Sequence, residues 1–354
     1  MKWSVGWGPV PYCNMNCEFC YSRSVRESEV SPYGLTEWKH FVDNNHSVIG
    51  SINYGTGENT LSDEWFRLVS YIREQYPDIK QALTTNGYLS AQVKSCTMYD
   101  DIFRSSIDEV DVSLDFADPI RHNQFRGQKN AYKWATETIE YCDSIGKSCT
   151  IVFLGTDEVM EIDNVAGLFH IAENNNAILR TNIYRPTQGI SDFSRKYIAS
   201  YEKIVDLLYW IYENHHIISI SDPLFCAILL DNIQEQDHSG IDSVRILHDG
   251  YITPSTYLIS EEFKLGSITQ EGLREFKFPS HVIPDECHGC PYLERCLGGV
   301  MDRRYLWYKT FKERDPYCPF RLGKEVPLKK ITLSSPKSFH SVHYGYLPTM
   351  FFAP

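Results

Sequence analysis

Cys13-Asn14-Met15-Asn16-Cys17-Glu18-Phe19-Cys20 decides how the rest of the chain is read. Three thiolates spaced C-x3-C-x2-C can hold three irons of a four-iron cluster and leave the fourth iron open. An open iron is a coordination site for chemistry, because electron-transfer clusters usually have every iron held by cysteine. A structural zinc site is the competing reading, although x3-x2 is an odd spacing for zinc and no fourth ligand is near. Ser4 to Val10 reads as a short strand that delivers the loop, and Thr36 as the N-cap of a helix running to about Asn44. Val48 to Tyr54 is a second strand, followed by a helix from Leu61 to Gln75 whose Trp65, Leu68, Val69 and Ile72 share one face. The unit then repeats. Strands fit Lys80 to Thr85, Glu109 to Phe116, Ser148 to Leu154 and Ala177 to Tyr184; helices fit Ser90 to Ser105, Asn130 to Ile145, Asp163 to Asn174 and Ser194 to Asn214. Six strand-helix units with parallel connections predict an α/β chain, a partial (β/α)6 barrel of TIM type, with functional residues at the C-terminal ends of its strands.

The chain has 354 residues, 42% hydrophobic and 14% aromatic, enough for one large core and a smaller appended domain. Its net charge of -12 comes with no local excess of Lys and Arg, which excludes nucleic acid and anionic membrane as expected partners. Neither Met1 to Pro11 nor the most apolar later run, Ile204 to Tyr212 with Asp206 inside it, has the length of a signal peptide or membrane span. Eleven cysteines without an export signal point to metal ligation in a reducing cytoplasm.

At the cysteine loop the sequence resembles the radical S-adenosylmethionine (radical SAM) superfamily. The resemblance implies that the open iron of a [4Fe-4S] cluster on Cys13, Cys17 and Cys20 chelates SAM. It implies reductive cleavage of SAM to a 5'-deoxyadenosyl radical, an electron from a flavodoxin- or ferredoxin-type donor, and contact of Phe19 with the adenine. Gly55-Thr56-Gly57-Glu58 is similar to the family's Gly-Gly-Glu motif for the SAM amino group, with Thr56 replacing one glycine. Alone, a Gly-rich turn before a helix is ordinary loop chemistry. Thr84-Thr85-Asn86-Gly87 is a family-like strand ending, with a plain Asn-Gly turn as the bland alternative. On the fourth strand, Ser113 and Asp115, and beyond them Arg126, occupy cofactor-binding positions. The resemblance gives Ser113 and Arg126 the SAM carboxylate, which suits a forked guanidinium; a solvated loop charge is the alternative for Arg126. Alternation puts Arg180, Asn182 and Tyr184 on one face of the sixth strand, with Arg185 following. They are substrate or SAM contacts if that face lines the barrel, and helix-facing polar positions if it does not.

Asp222-Pro223 ends the barrel, residues 1–233, and Gln234 to Gly240 reads as a linker. Val244 to His248, Asp249-Gly250 and Tyr251 to Thr253 form a hairpin signal, the Asp-Gly pair suiting a type I′ turn, and a helical stretch near Glu271 to Phe276 follows. The segment 234–324 carries Cys287, Cys290, Cys296 and Cys318, and here the sequence resembles the SPASM/twitch extension, which usually holds two auxiliary clusters. Two expected inner-cluster ligand positions are Ser255 and Val300, so the resemblance predicts one auxiliary [4Fe-4S] cluster, on those four cysteines; structural zinc is the alternative. Thr256 stands where sulfatase-maturing relatives carry an Asp acting as base, which disfavours that oxidation. Cys96, Cys142, Cys149 and Cys226 read as small buried hydrophobes, Cys226 being the one whose thiol could donate a hydrogen atom at the barrel mouth. The tail 325–354, with Pro327, Pro336, Pro348, Pro354 and the aromatics Tyr344, Tyr346, Phe351 and Phe352, is expected to be extended and packed on the barrel, as a cover or as a gate.

The expected protein is a radical SAM enzyme that abstracts a substrate hydrogen. Several SPASM/twitch relatives modify ribosomally made peptides, so the resemblance implies a peptide maturase acting by crosslinking, epimerisation or another modification of a side chain. Too few residues precede Cys13 for a winged-helix leader-binding domain, which leaves the barrel mouth, the second domain or a separate leader-peptide-binding protein to hold a peptide. The alternative substrate is a small molecule, a sugar or aminocyclitol in natural-product biosynthesis; a closed pocket of convergent polar groups would favour it over a peptide groove. A third class, an electron carrier or degenerate binding protein, conflicts with the open-iron spacing and the strand-end residues.

Overall fold

A computed structural model describes residues 2–23, 31–231, 242–269, 273, 282–334, 341–343 and 347–354. Six strands lie side by side in parallel: β1 (Trp3–Trp7), β2 (Ile49–Tyr54), β3 (Lys80–Thr85), β4 (Glu109–Ser113), β5 (Ser148–Gly155) and β6 (Ile178–Ile183). Helices cover their outer face, and Trp7, Tyr54, Trp65, Phe66, Phe103 and Phe153 fill the interface between the layers, all fully buried. This is the wall of a partial α/β barrel. Local chemistry moves several element ends from their expected places. The first helix is Leu35–Asn45, entered at Gly34 and not at Thr36, because Glu37 Oε2 accepts the Gly34 N–H at 3.0 Å. Ser62 caps Asp63–Gln75 through the Trp65 N–H at 3.3 Å. Cys96 is extended and breaks the expected helix into Leu89–Ser95 and Thr97–Ser106, while Ser200 starts Tyr201–Asn214 afresh. An unanticipated helix, Pro119–Arg126, follows β4. Asp118 accepts the Arg121 N–H at 2.7 Å and Pro119 occupies the first turn, a start signal that Asp-Pro carried in the sequence.

The sheet extends past both edges of this wall. On one side β8 (Ser243–Ile246) pairs in parallel with β1, and β9 (Tyr251–Thr253) and β10 (Gly266–Ser267) continue antiparallel. The hairpin of the second domain is therefore continuous with the barrel sheet. Its turn is not type I′: of the turn residues only Gly250 takes a positive φ, +78°, and its N–H donates to the Leu247 carbonyl at 2.9 Å. That is a three-residue loop with glycine at the left-handed position. On the other side β11 (Met350–Ala353), from the C-terminal tail, runs antiparallel between β6 and β7 (His216–Ile220). Neither β7 nor β11 was anticipated as a strand. The expected linker Gln234 to Gly240, the helical stretch near Glu271 to Phe276 apart from Leu273, and Tyr344 and Tyr346 lie outside the described residues. Among the described residues no helix is long and apolar enough to cross a membrane.

Candidate active site

The turn after β2 holds the cysteine loop against the C-terminal end of the barrel. Glu58 N–H donates to the Tyr12 carbonyl at 2.9 Å. Gly57 has φ +65°, and a Cβ there would stand 2.4 Å from the Val10 carbonyl oxygen and 2.5 Å from that of Tyr12, so glycine is required. Cys13, Cys17 and Cys20 all line one cavity of about 200 Å³, whose lining contains no other cysteine and no carboxylate among the described residues. Polar groups are aimed at the sulfurs: Asn86 Nδ2 and the Met15 N–H lie 3.5 and 3.4 Å from Cys13 Sγ, and Ser22 Oγ is 3.3 Å from Cys20 Sγ. Burial pushes the Cys17 thiol up, while the Arg126 guanidinium beside it pulls the other way. Soft thiols, dipoles directed at them and an open space on their remaining side fit a four-iron cluster held by three cysteines.

Of the other expected site residues, Phe19, Gly55, Gly57, Asn86, Ser113, Arg126, Arg180 and Asn182 line this cavity. Phe19 stacks on Phe125 with ring centroids 4.2 Å apart. Three expectations are corrected. The Glu58 carboxylate faces away from the cavity. Fully buried, it accepts hydrogen bonds from Thr60 Oγ1 (2.6 Å), Thr85 Oγ1 (2.9 Å) and the Asn86 N–H (2.8 Å), so it braces two strand ends against each other. Asp115 is likewise buried behind the wall, accepting from Arg126 Nε at 2.6 Å and from the Leu154 N–H at 2.9 Å; it orients the arginine. Cys226 sits in the buried helix Pro223–Leu229 and is not among the residues that line the cavity. The apolar neighbours that make a helix core also exclude it from the mouth.

Arg180, Asn182 and Tyr184 all face inward, joined by Arg185. Tyr184 packs with Met15, Cys17 and Phe19 at the level of the cysteine loop. Deeper down, Arg180 Nη2 donates to Asp111 Oδ2 at 2.6 Å, where His343 Nε2, from the tail, arrives at 2.9 Å. Burial and the neighbouring Arg180 charge push the His343 imidazole down, which keeps it neutral near pH 7. Thr84 Oγ1 donates to Asn53 Oδ1 at 3.2 Å. Across the cavity Arg245 of β8 donates to the Thr56 hydroxyl; Thr56 holds a left-handed φ of +72°, unusual for a β-branched residue. Ser255, where a cluster ligand was missing, instead donates to Asp302 Oδ2 at 2.9 Å, and Arg185 Nε donates to Asp302 Oδ1 at 2.8 Å. Among the described residues the cavity wall thus carries four arginines: 126, 180, 185 and 245. Sequence reasoning missed Asn53, Thr84, Arg245 and His343 as lining residues. Alternation along Val244-Arg245-Ile246 could have singled out Arg245; nothing local marks His343.

The remaining expected ligands, Cys287, Cys290, Cys296 and Cys318, line a second, smaller pocket of about 20 Å³ with Leu224, Arg314 and Asp315. Cys318 lies farthest along the sequence, and its N–H donates to the Asp315 carbonyl at 2.9 Å. Among the described residues no three His, Cys, Asp or Glu side chains are grouped as for a single metal ion.

Residues 7–168 match the family model described as the Radical SAM superfamily. The chain is 23% identical over 357 residues to the AdoMet-dependent heme synthase of Methanosarcina barkeri, covering 91% of this chain and 97% of that protein. It is 22% identical to the mycofactocin maturase MftC of Mycolicibacterium smegmatis, covering 93% and 86%. Its fold is similar to that of Streptococcus suis SuiB in a crystal structure with bound S-adenosylmethionine, with a TM-score of 0.70, 17% identity, and coverage of 89% of this chain and 76% of that one. SuiB has also been solved with its precursor peptide SuiA, and that structure gives a TM-score of 0.68 at 16% identity, covering 89% and 75%.

Proposed function

We propose that this chain, whose residues 7–168 match the Radical SAM superfamily model, abstracts a hydrogen atom from a ribosomally made peptide and so crosslinks, epimerises or otherwise alters a side chain. The observation that carries the reading is the meeting of three C-x3-C-x2-C thiols with Ser113, Arg126, Arg180 and Asn182 on one cavity. When bound, the cluster and SAM supply a deoxyadenosyl radical on one-electron reduction. Arg126, oriented by Asp115, and Ser113 would hold the SAM carboxylate, Phe19 would lie against the adenine, and the Gly55–Gly57 turn would receive the amino group. The deeper wall fixes which C–H bond is presented. A peptide is supported by the maturase MftC among the relatives and by the shared fold of SuiB. A small molecule is the second reading, favoured by the convergent polar groups in the cavity and by the M. barkeri heme synthase, whose name points to a heme-related substrate rather than to a sugar or aminocyclitol. The four C-terminal cysteines hold one auxiliary four-iron cluster in this proposal.

Reduced, anaerobically reconstituted enzyme with SAM and size-split fractions of host lysate tests the substrate class. Release of deoxyadenosine stimulated by a protease-sensitive fraction is expected. Stimulation that survives protease would replace the peptide by a small molecule, and no SAM cleavage under any condition would remove the enzyme assignment. With Cys13, Cys17 and Cys20 all changed to Ala, about four irons per protein molecule are expected to remain. Zinc in place of iron would overturn the auxiliary cluster.

A further inference from the structure

Among the described residues, the cavity lining holds four guanidiniums and no Asp or Glu, in a protein whose net charge is -12. Three of them have buried counter-charges that are not among the lining residues: Asp115 for Arg126, Asp111 for Arg180 and Asp302 for Arg185. Arg180 is 2% exposed, and its ion pair with Asp111 uses Nη2. Its Nε and Nη1, both buried, have no hydrogen-bond partner among the described residues. A guanidinium presents five N–H donors in a planar fork, and leaving buried donors unsatisfied is costly, so these two are open to an acceptor that enters the cavity. Its neighbours share the task. Thr84 and His343 meet Arg180 at Asp111, and a Cβ added at Gly55 would stand 3.7 Å from Arg245 Nη1 and 3.8 Å from Thr84 Cβ, which places Arg245 beside the same spot. Asn182 Oδ1, two residues along the strand, is also without a partner among the described residues.

Depth separates this cluster from the cofactor's end. Tyr184, just past the end of β6, packs on the cysteine loop, and Arg180 lies four residues earlier, within β6, about 13 Å away along an extended backbone. We propose that Arg180, with Thr84 and Arg245, receives a carboxylate of the substrate at the bottom of the cavity, and thereby determines which carbon faces the cysteine loop above. The inference deepens the proposed function, since it requires a substrate to enter this cavity, and it names the substrate's recognised group: a carboxylate, from an acidic side chain or from a peptide C-terminus. Bidentate geometry makes arginine the residue suited to that group.

Three probes test it on cluster-loaded enzyme saturated with SAM, by anaerobic calorimetry: N-acetylglutamate α-amide, N-acetylalanine and N-acetylglutamine α-amide. The first carries its carboxylate on the side chain, the second at the C-terminus, and the third has none. Binding of the first or second without the third is expected, and which of the two binds identifies the source. The double variant Arg180→Met/Asp111→Asn removes the ion pair as a unit and leaves no unpaired buried charge; tenfold or greater weakening is expected, with Arg180→Lys in between. Equal binding of the amide probe, binding of none, or undiminished affinity in a double variant that melts cooperatively would overturn the proposal. So would a parallel, equal loss of SAM affinity, which would give Arg180 to the cofactor. None of these readings depends on deoxyadenosine release, so the carboxylate receptor and the peptide assignment can fail separately.

Discussion

Residues in this site act largely through what stands behind them. Arg126 reaches the cavity, but its direction is set by Asp115, buried and fixed by the Leu154 N–H. Asp115→Asn keeps the shape and removes the charge, and the SAM dissociation constant is expected to rise about tenfold, the equivalent of one charge-assisted bond. An unchanged constant in an equilibrium titration would detach Arg126 from SAM. At the other end of β4, Glu109 accepts the Val342 N–H at 2.5 Å and is pushed up to about 7 by burial and then by the nearby Asp111 charge. A carboxyl raised above its unfolded value keeps its proton longer in the folded protein. Its contribution is therefore whole below about pH 4.5 and is lost as pH rises towards 7. Glu109→Gln is expected to gain stability over the wild type progressively across that window, on the order of 1 kcal/mol at pH 7.5, read from melting curves at several pH values. A difference that does not change with pH would show that Glu109 does not titrate there.

At the scale of elements, a buried charge cluster fastens the cysteine-bearing segment to the barrel. Asp222 caps the helix Pro223–Leu229, Asp315 lies three residues before Cys318, and Arg303 of the helix Met301–Tyr308 donates to both at 2.6 Å; all three are essentially unexposed. Losing the one cation would leave two buried carboxylates facing each other. Arg303→Met is expected to destabilise by about 3–5 kcal/mol in denaturant titration, whereas Arg303→Met with Asp222→Asn and Asp315→Asn recovers much of that loss. Equal stability of the single variant and the wild type would show that the cluster contributes nothing. The cysteine spacing announced this segment, but the clamp was not legible, because Asp222 lies 81 residues before Arg303 and each of the three looks like a surface charge.

For the whole molecule, the C-terminal strand closes the architecture. β11 fills the space between β6 and β7, with Phe351 and Phe352 fully buried, and the same tail brings His343 to Asp111 inside the barrel. Phe352→Ala should lower stability by about 3–5 kcal/mol, a large share of a typical domain's total, and drive the protein towards aggregation as edges of β6 and β7 open. A melting temperature within a degree of the wild type would mean that β11 is dispensable. The placement also brings three distant parts of the sequence to one cavity: the loop after β1, the hairpin strand carrying Arg245, and the tail carrying His343.

The sequence by itself determined what depends on near neighbours along the backbone. The cysteine spacing, the alternation of Arg180, Asn182 and Tyr184 on one strand face and the repeating strand-helix pattern follow from covalent spacing and from periods of two and 3.6 residues. Those were enough for the barrel, the cluster and much of the cavity wall. Only the tertiary structure decided which polar residues face the cavity and which brace it. Glu58 and Asp115 turned away from the cavity to satisfy buried N–H groups, Cys226 was absorbed into a core helix, and Arg245 and His343 arrived from β8 and the tail. Buried polar groups must find partners wherever the fold supplies them, and those partners lie tens to hundreds of residues away, beyond any local pattern.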